Sequence, residues 1–374
     1  MRRRPLLLVL VLAALAATLL AAAPAQAVTA FGPVITVLPA PSGCTIDHVE
    51  GDAEISPFNG VVRGFANLSG NGCDEDAIWF FGGRGSSWTF QRTPYRGQVL
   101  AAGEYSASYV LFSSPTGIHL GKRGIATGAY LTPARQLSST IPGAVRAQGD
   151  VLAGPSHTWW AVWSEQVGQG GEFAQTELFQ AKTYGAPDLD RTQVTYHPDN
   201  DHQPELAFRP GGGGELVFVR DDAFGGGPTY SQVRLATASG DAGVWAGRQF
   251  AAVGLNYGPS IDTTSGTGGH TYVAWVRGQQ PFESDDRSGG FQHRAFVGSS
   301  FTTDVDASGG QVHVAWPQSG GGTVLAERSA GGAWTKATVS TVESRLAPIV
   351  VSRSGQATVL MASTTRIYAR TQTS

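Results

Sequence analysis

One spacing constrains this chain more than any other feature. A short apolar strand pattern ending in a bulky residue recurs seven times. The clearest copies are Trp159-Trp160-Ala161-Val162-Trp163, Tyr272-Val273-Ala274-Trp275 and Val312-His313-Val314-Ala315-Trp316. Weaker copies are Val61-Val62-Arg63-Gly64-Phe65, Tyr109-Val110-Leu111-Phe112, Leu216-Val217-Phe218-Val219 and Thr358-Val359-Leu360-Met361. Their last residues fall at 65, 112, 163, 219, 275, 316 and 361, at intervals of 47, 51, 56, 56, 41 and 45. A period near fifty implies a repeat architecture, in which each unit buries its apolar face against the next.

Within a unit the order of patterns is constant. A first strand precedes the anchor, as in Gly258-Pro259-Ser260-Ile261-Asp262 or Ala347-Pro348-Ile349-Val350-Val351. The anchor follows, then a third strand such as Gln232-Val233-Arg234-Leu235 or Val324-Leu325-Ala326-Glu327, then a fourth opened by Trp245 or Trp334. The anchors are apolar on both faces, as a strand packed between neighbouring sheets requires and a half-exposed strand does not. Four short strands per unit predict an all-β fold, a seven-bladed β-propeller of four-stranded antiparallel blades. The 50 glycines among 374 residues suit its many tight turns. The last unit has only three strands, and Val34-Ile35-Thr36-Val37-Leu38 has no unit of its own. That N-terminal strand is therefore expected to close the ring and remove an exposed edge. Two alternatives stay open. A tandem of β-sandwiches is one. The other is a six-bladed ring, because Arg294–Thr303 looks one strand short.

Residues 1–27 read as a signal peptide, with Arg2, Arg3 and Arg4, an apolar run from Leu6 to Ala23, and a small-residue site at Ala25-Gln26-Ala27. Residues 28–374 are expected to be a single domain, secreted and monomeric, with no membrane span. Removing the three leader arginines from 26 basic residues leaves 23 against 29 acidic, a net of −6. That balance argues against nucleic acid as a partner. Few lysines beside many arginines, with abundant Ala and Gly, suggest a GC-rich bacterial genome. In an oxidising compartment Cys44 and Cys73 are expected to form a disulfide.

Two turns carry a resemblance. Ser239-Gly240-Asp241-Ala242-Gly243-Val244-Trp245 resembles the Asp-box, S-x-D-x-G-x-T-W, one residue short before the Trp. Ser329-Ala330-Gly331-Gly332-Ala333-Trp334 is a more degraded copy. Both fall between third and fourth strands, as in the sialidase-like (BNR-repeat) propellers. The resemblance implies a structural turn built on Ser239, Asp241, Gly243 and Trp245. Sialidases of that family use three arginines for the substrate carboxylate, a Tyr–Glu nucleophile pair and an Asp acid/base. The family's Phe-Arg-Ile-Pro motif is missing here, and Phe208-Arg209-Pro210 is the nearest string. A fainter similarity of Pro204–Phe208 and Val217–Asp221 to TolB-type repeats would imply protein binding.

No catalytic set is assigned from spacing, and no zinc, P-loop or nucleophile-elbow motif occurs. Several acidic loops flank the anchors. Their residues Asp74, Glu75, Asp76, Glu165, Glu172, Asp221, Asp222, Glu283, Asp285 and Asp286 are expected to gather on one binding face. Asp199, Asp201 and His202 form the densest set for a cation such as Ca²⁺. The expected function is non-catalytic binding of an extracellular glycan or protein through that acidic face. A sialidase-type glycoside hydrolase is the alternative.

Overall fold

The computed structural model describes residues 30–373 apart from 54–60, 72, 75, 139–147, 168–174, 186–188, 210–211, 222–230, 239–243, 251–253, 264–268, 309, 330–331, 343, 345, 347 and 354–355. The expected leader lies outside these residues. Seven four-stranded antiparallel sheets make up the fold. Blade I holds β2 (Thr45–Ala53), β3 (Val62–Ser69), β4 (Ala77–Arg84) and β5 (Ser87–Arg96). Blade II holds β6 (Gln98–Glu104), β7 (Ala107–Ser114), β8 (Gly117–Gly124) and β9 (Arg135–Gln136). Blade III holds β10 (Gly149–Ala153), β11 (Trp159–Gln166), β12 (Thr176–Lys182) and β13 (Leu189–Gln193). Blade IV holds β14 (Asn200–Phe208), β15 (Gly214–Asp221), β16 (Ser231–Ala238) and β17 (Trp245–Gln249). Blade V holds β18 (Asn256–Thr263), β19 (Thr271–Arg277), β20 (Gln280–Asp285) and β21 (Gln292–Ala295). Blade VI holds β22 (Asp304–Ser308), β23 (Gln311–Pro317), β24 (Thr323–Ser329) and β25 (Thr335–Ser340). Blade VII holds β26 (Ile349–Arg353), β27 (Gln356–Ala362) and β28 (Arg366–Thr371), and β1 (Ile35–Pro39) is its fourth strand.

All seven anchors lie in second strands. The short β21 pairs fully with β20, Phe282 opposite Ala295 and Asp285 opposite Gln292. Blade V is therefore complete, and the six-bladed alternative falls. The N-terminal strand closes the ring, with Ile35 opposite Ala369 and Leu38 opposite Ile367.

The core is divided among the gaps between blades, one apolar cluster to each gap. Trp163, Tyr109, Leu111 and Phe179 fill the gap between blades II and III. Leu38, Ile46, Phe81 and Leu360 fill the one where the chain ends meet. Every residue of β11 except Gln166 is buried, which explains why its sequence is apolar on both faces. The outermost β5 is mostly exposed and correspondingly polar. First strands β2, β6, β10, β14, β18, β22 and β26 touch in ring order and line the axis. Blades I and II are joined by Gly97 alone. Its φ is +141°, and a Cβ there would lie 2.1 Å from the Ser113 carbonyl oxygen, so only glycine fits.

Candidate functional site: an acidic axis and an apolar rim

Strand register assigns each loop to one end of the ring. Asn200 pairs with Asp221 where β14 begins and β15 ends. Blade-to-blade connections and second-to-third-strand loops thus share one face, here the entry face. First-to-second and third-to-fourth loops open on the opposite face.

The innermost strands have one edge without a strand neighbour, so its N–H groups need other acceptors. Side chains of the preceding blade supply them. Asp52 Oδ2 accepts from Glu104 N at 2.9 Å, Asp150 Oδ2 from Leu206 N at 2.7 Å and Asp262 Oδ2 from Ala307 N at 2.6 Å. Asp304 Oδ2 accepts from Val350 N at 2.7 Å, and Asp306 Oδ2 from Ser352 N at 2.8 Å. Gln203 Oε1 serves Gly258 N in the same way, at 2.9 Å. With Glu50 and Glu205 these groups place seven carboxylates along the axis. None of them was singled out from sequence as part of a site. Their legible signal was an acidic residue alternating with an apolar one in a first strand, as in Asp304-Val305-Asp306.

Burial pushes the Asp150 carboxyl up to about 7, against the hydrogen bonds from Leu206 and Val151 and helped by the Glu50 charge. Asp306 is pushed up to about 6 by burial, against its bonds from Ser352. Burial and neighbouring carboxylates hold Glu205, Asp262 and Asp304 well above the ordinary range. Glu205 feels Asp150, Glu50 and Asp304, Asp262 feels Asp306 and Asp52, and Asp304 feels Asp306 and Glu50, so the charges form one linked set. The Glu205 carboxyl has no hydrogen-bond partner among the described residues.

The acidic loop residues do not make one face. Asp74, Asp76, Glu165 and Asp221 lie toward the entry face. Glu283, Asp285 and Asp286 lie toward the opposite face, because Asp285 ends β20 opposite Tyr272 and Gln292. Glu75, Glu172 and Asp222 lie outside the described residues. Most of the others are already engaged. Asp74 pairs with Arg92 and Arg96. Glu165 Oε2 accepts from Trp163 Nε1 at 2.9 Å and Arg191 Nε at 3.0 Å. Asp286 meets His270 Nδ1 at 3.2 Å and Thr271 N at 3.1 Å.

The expected cation ligands also point to separate partners. The buried Asp201 holds Arg220 Nε and Nη2 at 2.6 and 2.7 Å. His202 Nε2 lies 2.8 Å from Asp221, and Asp199 lies 3.0 Å from His197 Nδ1. Among the described residues no group of three or more His, Cys, Asp or Glu is arranged to hold a metal ion.

Three arginines do converge, but on a carboxylate of the protein. Asp285 accepts from Arg328 Nη2 and Arg294 Nη1 at 2.5 Å each and from Arg287 Nε at 3.1 Å. Glu283 takes Arg328 Nη2 at 3.0 Å and Arg294 Nη1 at 3.1 Å. Burial would raise Asp285, but the bonds from Arg328, Arg287 and Arg294 outweigh it and hold the group well below the carboxylate range. Burial pushes Glu283 up to about 7, against Arg328 and Arg294. Arg328 also lies 4.6 Å from the Trp334 ring centroid. The cluster ties blade V to blade VI.

Of the resemblance motifs, Ser239, Asp241 and Gly243 lie outside the described residues. Trp245 packs at a tilt against Trp160, ring centroids 5.2 Å apart, and both indole N–H groups donate to Gln180 Oε1 at 3.0 Å. Cys44 and Cys73 form the expected disulfide, with Cα atoms 5.8 Å apart. It joins the connection before β2 to the β3–β4 loop.

The entry face carries apolar side chains that no sequence pattern marked. Tyr196, Leu255, Val297 with Phe301, and Val342 are exposed in the connections III–IV, IV–V, V–VI and VI–VII. Tyr196 is 76% exposed and Phe301 68%. Four consecutive blade junctions thus present exposed apolar groups on the entry face.

No protein-family model matches the chain, and no curated protein matches it. Solved structures match its fold. A Penicillium chrysogenum α-L-arabinanase complexed with arabinobiose is similar with a TM-score of 0.57 and 13% identity, over 92% of this chain and 98% of that one. The Aleuria aurantia lectin in complex with α-methyl-L-fucoside gives 0.53 and 13%, over 82% and 97%. YCF48 bound to a D1 peptide gives 0.52 and 13%, over 94% and 97%. At such identities the likeness is one of fold. No helix among the described residues is long and apolar enough to cross a membrane.

Proposed function

We propose that the protein is a secreted, non-catalytic β-propeller that binds an extracellular carbohydrate on its entry face. The run of exposed apolar groups over four consecutive blade junctions carries this reading. A sugar packs its C–H face on an aromatic ring while polar groups take its hydroxyls. Tyr196 and Phe301 supply the rings. The fold is shared with a lectin and an arabinanase whose structures hold sugars, which is consistent with this reading. The disulfide suits an exported chain. The acidic loops no longer define the binding surface, because they point to both faces.

The test is a glycan array with the full chain, followed by calorimetry on the best ligand. Tyr196→Ala and Phe301→Ala should each weaken binding about tenfold, the worth of one aromatic contact. Their melting temperatures should not change. No array signal, or affinities unchanged in both variants, would refute the reading.

Glu205 favours a second reading, a glycoside hydrolase. A carboxyl held well above the ordinary range by burial and neighbouring carboxylates suits a general acid. Release of nitrophenol from aryl arabinosides or sialosides, abolished in Glu205→Gln, would establish it. The arginines Arg287, Arg294 and Arg328 do not support the sialidase form, since Asp285 occupies them.

A further inference from the structure

We propose that the axial carboxylates make closure of the ring acid-favoured, so that the blade junctions loosen as the pH rises toward neutral and above. The geometry carrying this is a set of side-chain bonds across blade gaps. Asp150 clasps blade III to IV, Asp262 clasps V to VI, and Asp304 with Asp306 clasp VI to VII. Each accepts from an N–H on the free edge of the next inner strand. A protonated carboxyl still accepts that N–H through its carbonyl oxygen. Ionisation keeps the bond but adds a negative charge facing the others across the axis.

The groups that face one another come from every inner strand with a titratable side chain among those described. Glu205 of β14 faces Asp150 of β10, Glu50 of β2 and Asp304 of β22, and Asp304 in turn faces Asp306 and Glu50. Asp262 of β18 faces Asp306 of β22 and Asp52 of β2, so Asp306 links it to the rest. His48 of β2 lies 2.9 Å from Glu50, and Glu104 of β6 is paired with Arg63. None of Asp150, Glu205, Asp262, Asp304 or Asp306 has a Lys, Arg or His partner among the described residues. A carboxyl held above its unfolded value gives stability that is full at low pH and is lost as the pH rises through its folded value. For Asp306 and Asp150 the loss runs through about 6 and about 7. Glu283 adds to the trend from outside the axis, and His313, buried and pushed down to about 4, opposes it.

Denaturant unfolding of the full chain across pH 5 to 8 tests this. More than one proton held by the ring and released on unfolding lowers the folding constant at least about tenfold per pH unit near pH 6. The paired variant Asp150→Asn with Asp306→Asn keeps an oxygen acceptor at both clasps. Its fall should be shallower by about tenfold per pH unit. Should that variant not fold, Glu205→Gln removes one axial proton without removing a hydrogen bond, and should reduce the slope by a similar factor. A wild-type folding constant that is flat or rises from pH 5 to 7 overturns the proposal. So does a variant with the wild-type slope.

Discussion

Replacing Asp285 with asparagine is the sharpest probe of how blades V and VI are held. Asp285 is 1% exposed and accepts from three guanidinium groups, Arg328, Arg294 and Arg287. The amide in Asp285→Asn would keep one acceptor oxygen and no charge, leaving Arg328 and Arg294 with Glu283 alone and Arg287 without its carboxylate. Breaking a buried ion pair by removing one partner costs about 3–5 kcal/mol, because the remaining charge stays desolvated. Arg287 and Arg294 keep some contact with water, at 19% and 35% side-chain exposure. Arg328, at 2%, cannot relax in this way. The expected loss is therefore at the lower end, about 3 kcal/mol. Urea unfolding at neutral pH reads it directly, with an unchanged slope and a lowered midpoint. Glu283→Gln is the control. Its carboxyl is pushed up to about 7, so at pH 6 the neutral amide resembles what is already there. It should cost much less than Asp285→Asn. The pH dependence has the opposite sign to that of the axis. Asp285 titrates below its unfolded value, so its contribution is full above about pH 4 and fades as the pH falls below that. The difference between wild type and Asp285→Asn should accordingly shrink toward pH 3. A loss under about 1 kcal/mol at neutral pH, or a gap that widens in acid, would refute this account.

Three further outcomes follow from the packing. Gly97→Ala should lower stability well beyond a surface change, since its Cβ meets the Ser113 carbonyl; thermal unfolding that matches wild type would contradict it. Leu38→Ala removes a side chain buried between blades VII and I, and should cost about 2–5 kcal/mol in urea unfolding. Reducing the Cys44–Cys73 disulfide, which closes a span of 29 positions, should lower stability by about 3–4 kcal/mol on the chain-entropy estimate, measured by melting with and without reductant.

The ring was legible before any coordinates because its cause is local and repeated. A strand such as Trp159–Gln166 must be apolar on both faces to sit between blades. Seven such strands at a near-constant spacing leave few other architectures. The unpaired N-terminal strand announced closure in the same way, since β28 needed a partner. Even the 41-residue interval, which suggested a missing strand, was only a short fourth strand at Gln292–Ala295.

Function was much less legible, and the reason is geometric. Along the sequence Asp74 and Asp285 look alike, both acidic and both in loops beside an anchor. Strand direction sends one to the entry face and the other to the opposite face, and no pattern of charges carries that information. Asp199, Asp201 and His202 are near neighbours in sequence, yet they turn to three different partners: Asp199 precedes the strand, and Asp201 and His202 are successive strand residues whose side chains point to opposite sides. The axial carboxylates show the converse. Asp150, Glu205 and Asp304 are separated by 55 and 99 positions, and ring closure brings their charges together. The sequence alone determined the repeat, the strand order and the closure, because each arises from burial within one blade or between neighbours. Only the tertiary structure decided which charges are spent internally, which face the axis and which apolar groups lie exposed on the entry face. Those depend on distances between residues that the chain brings together only when the ring closes.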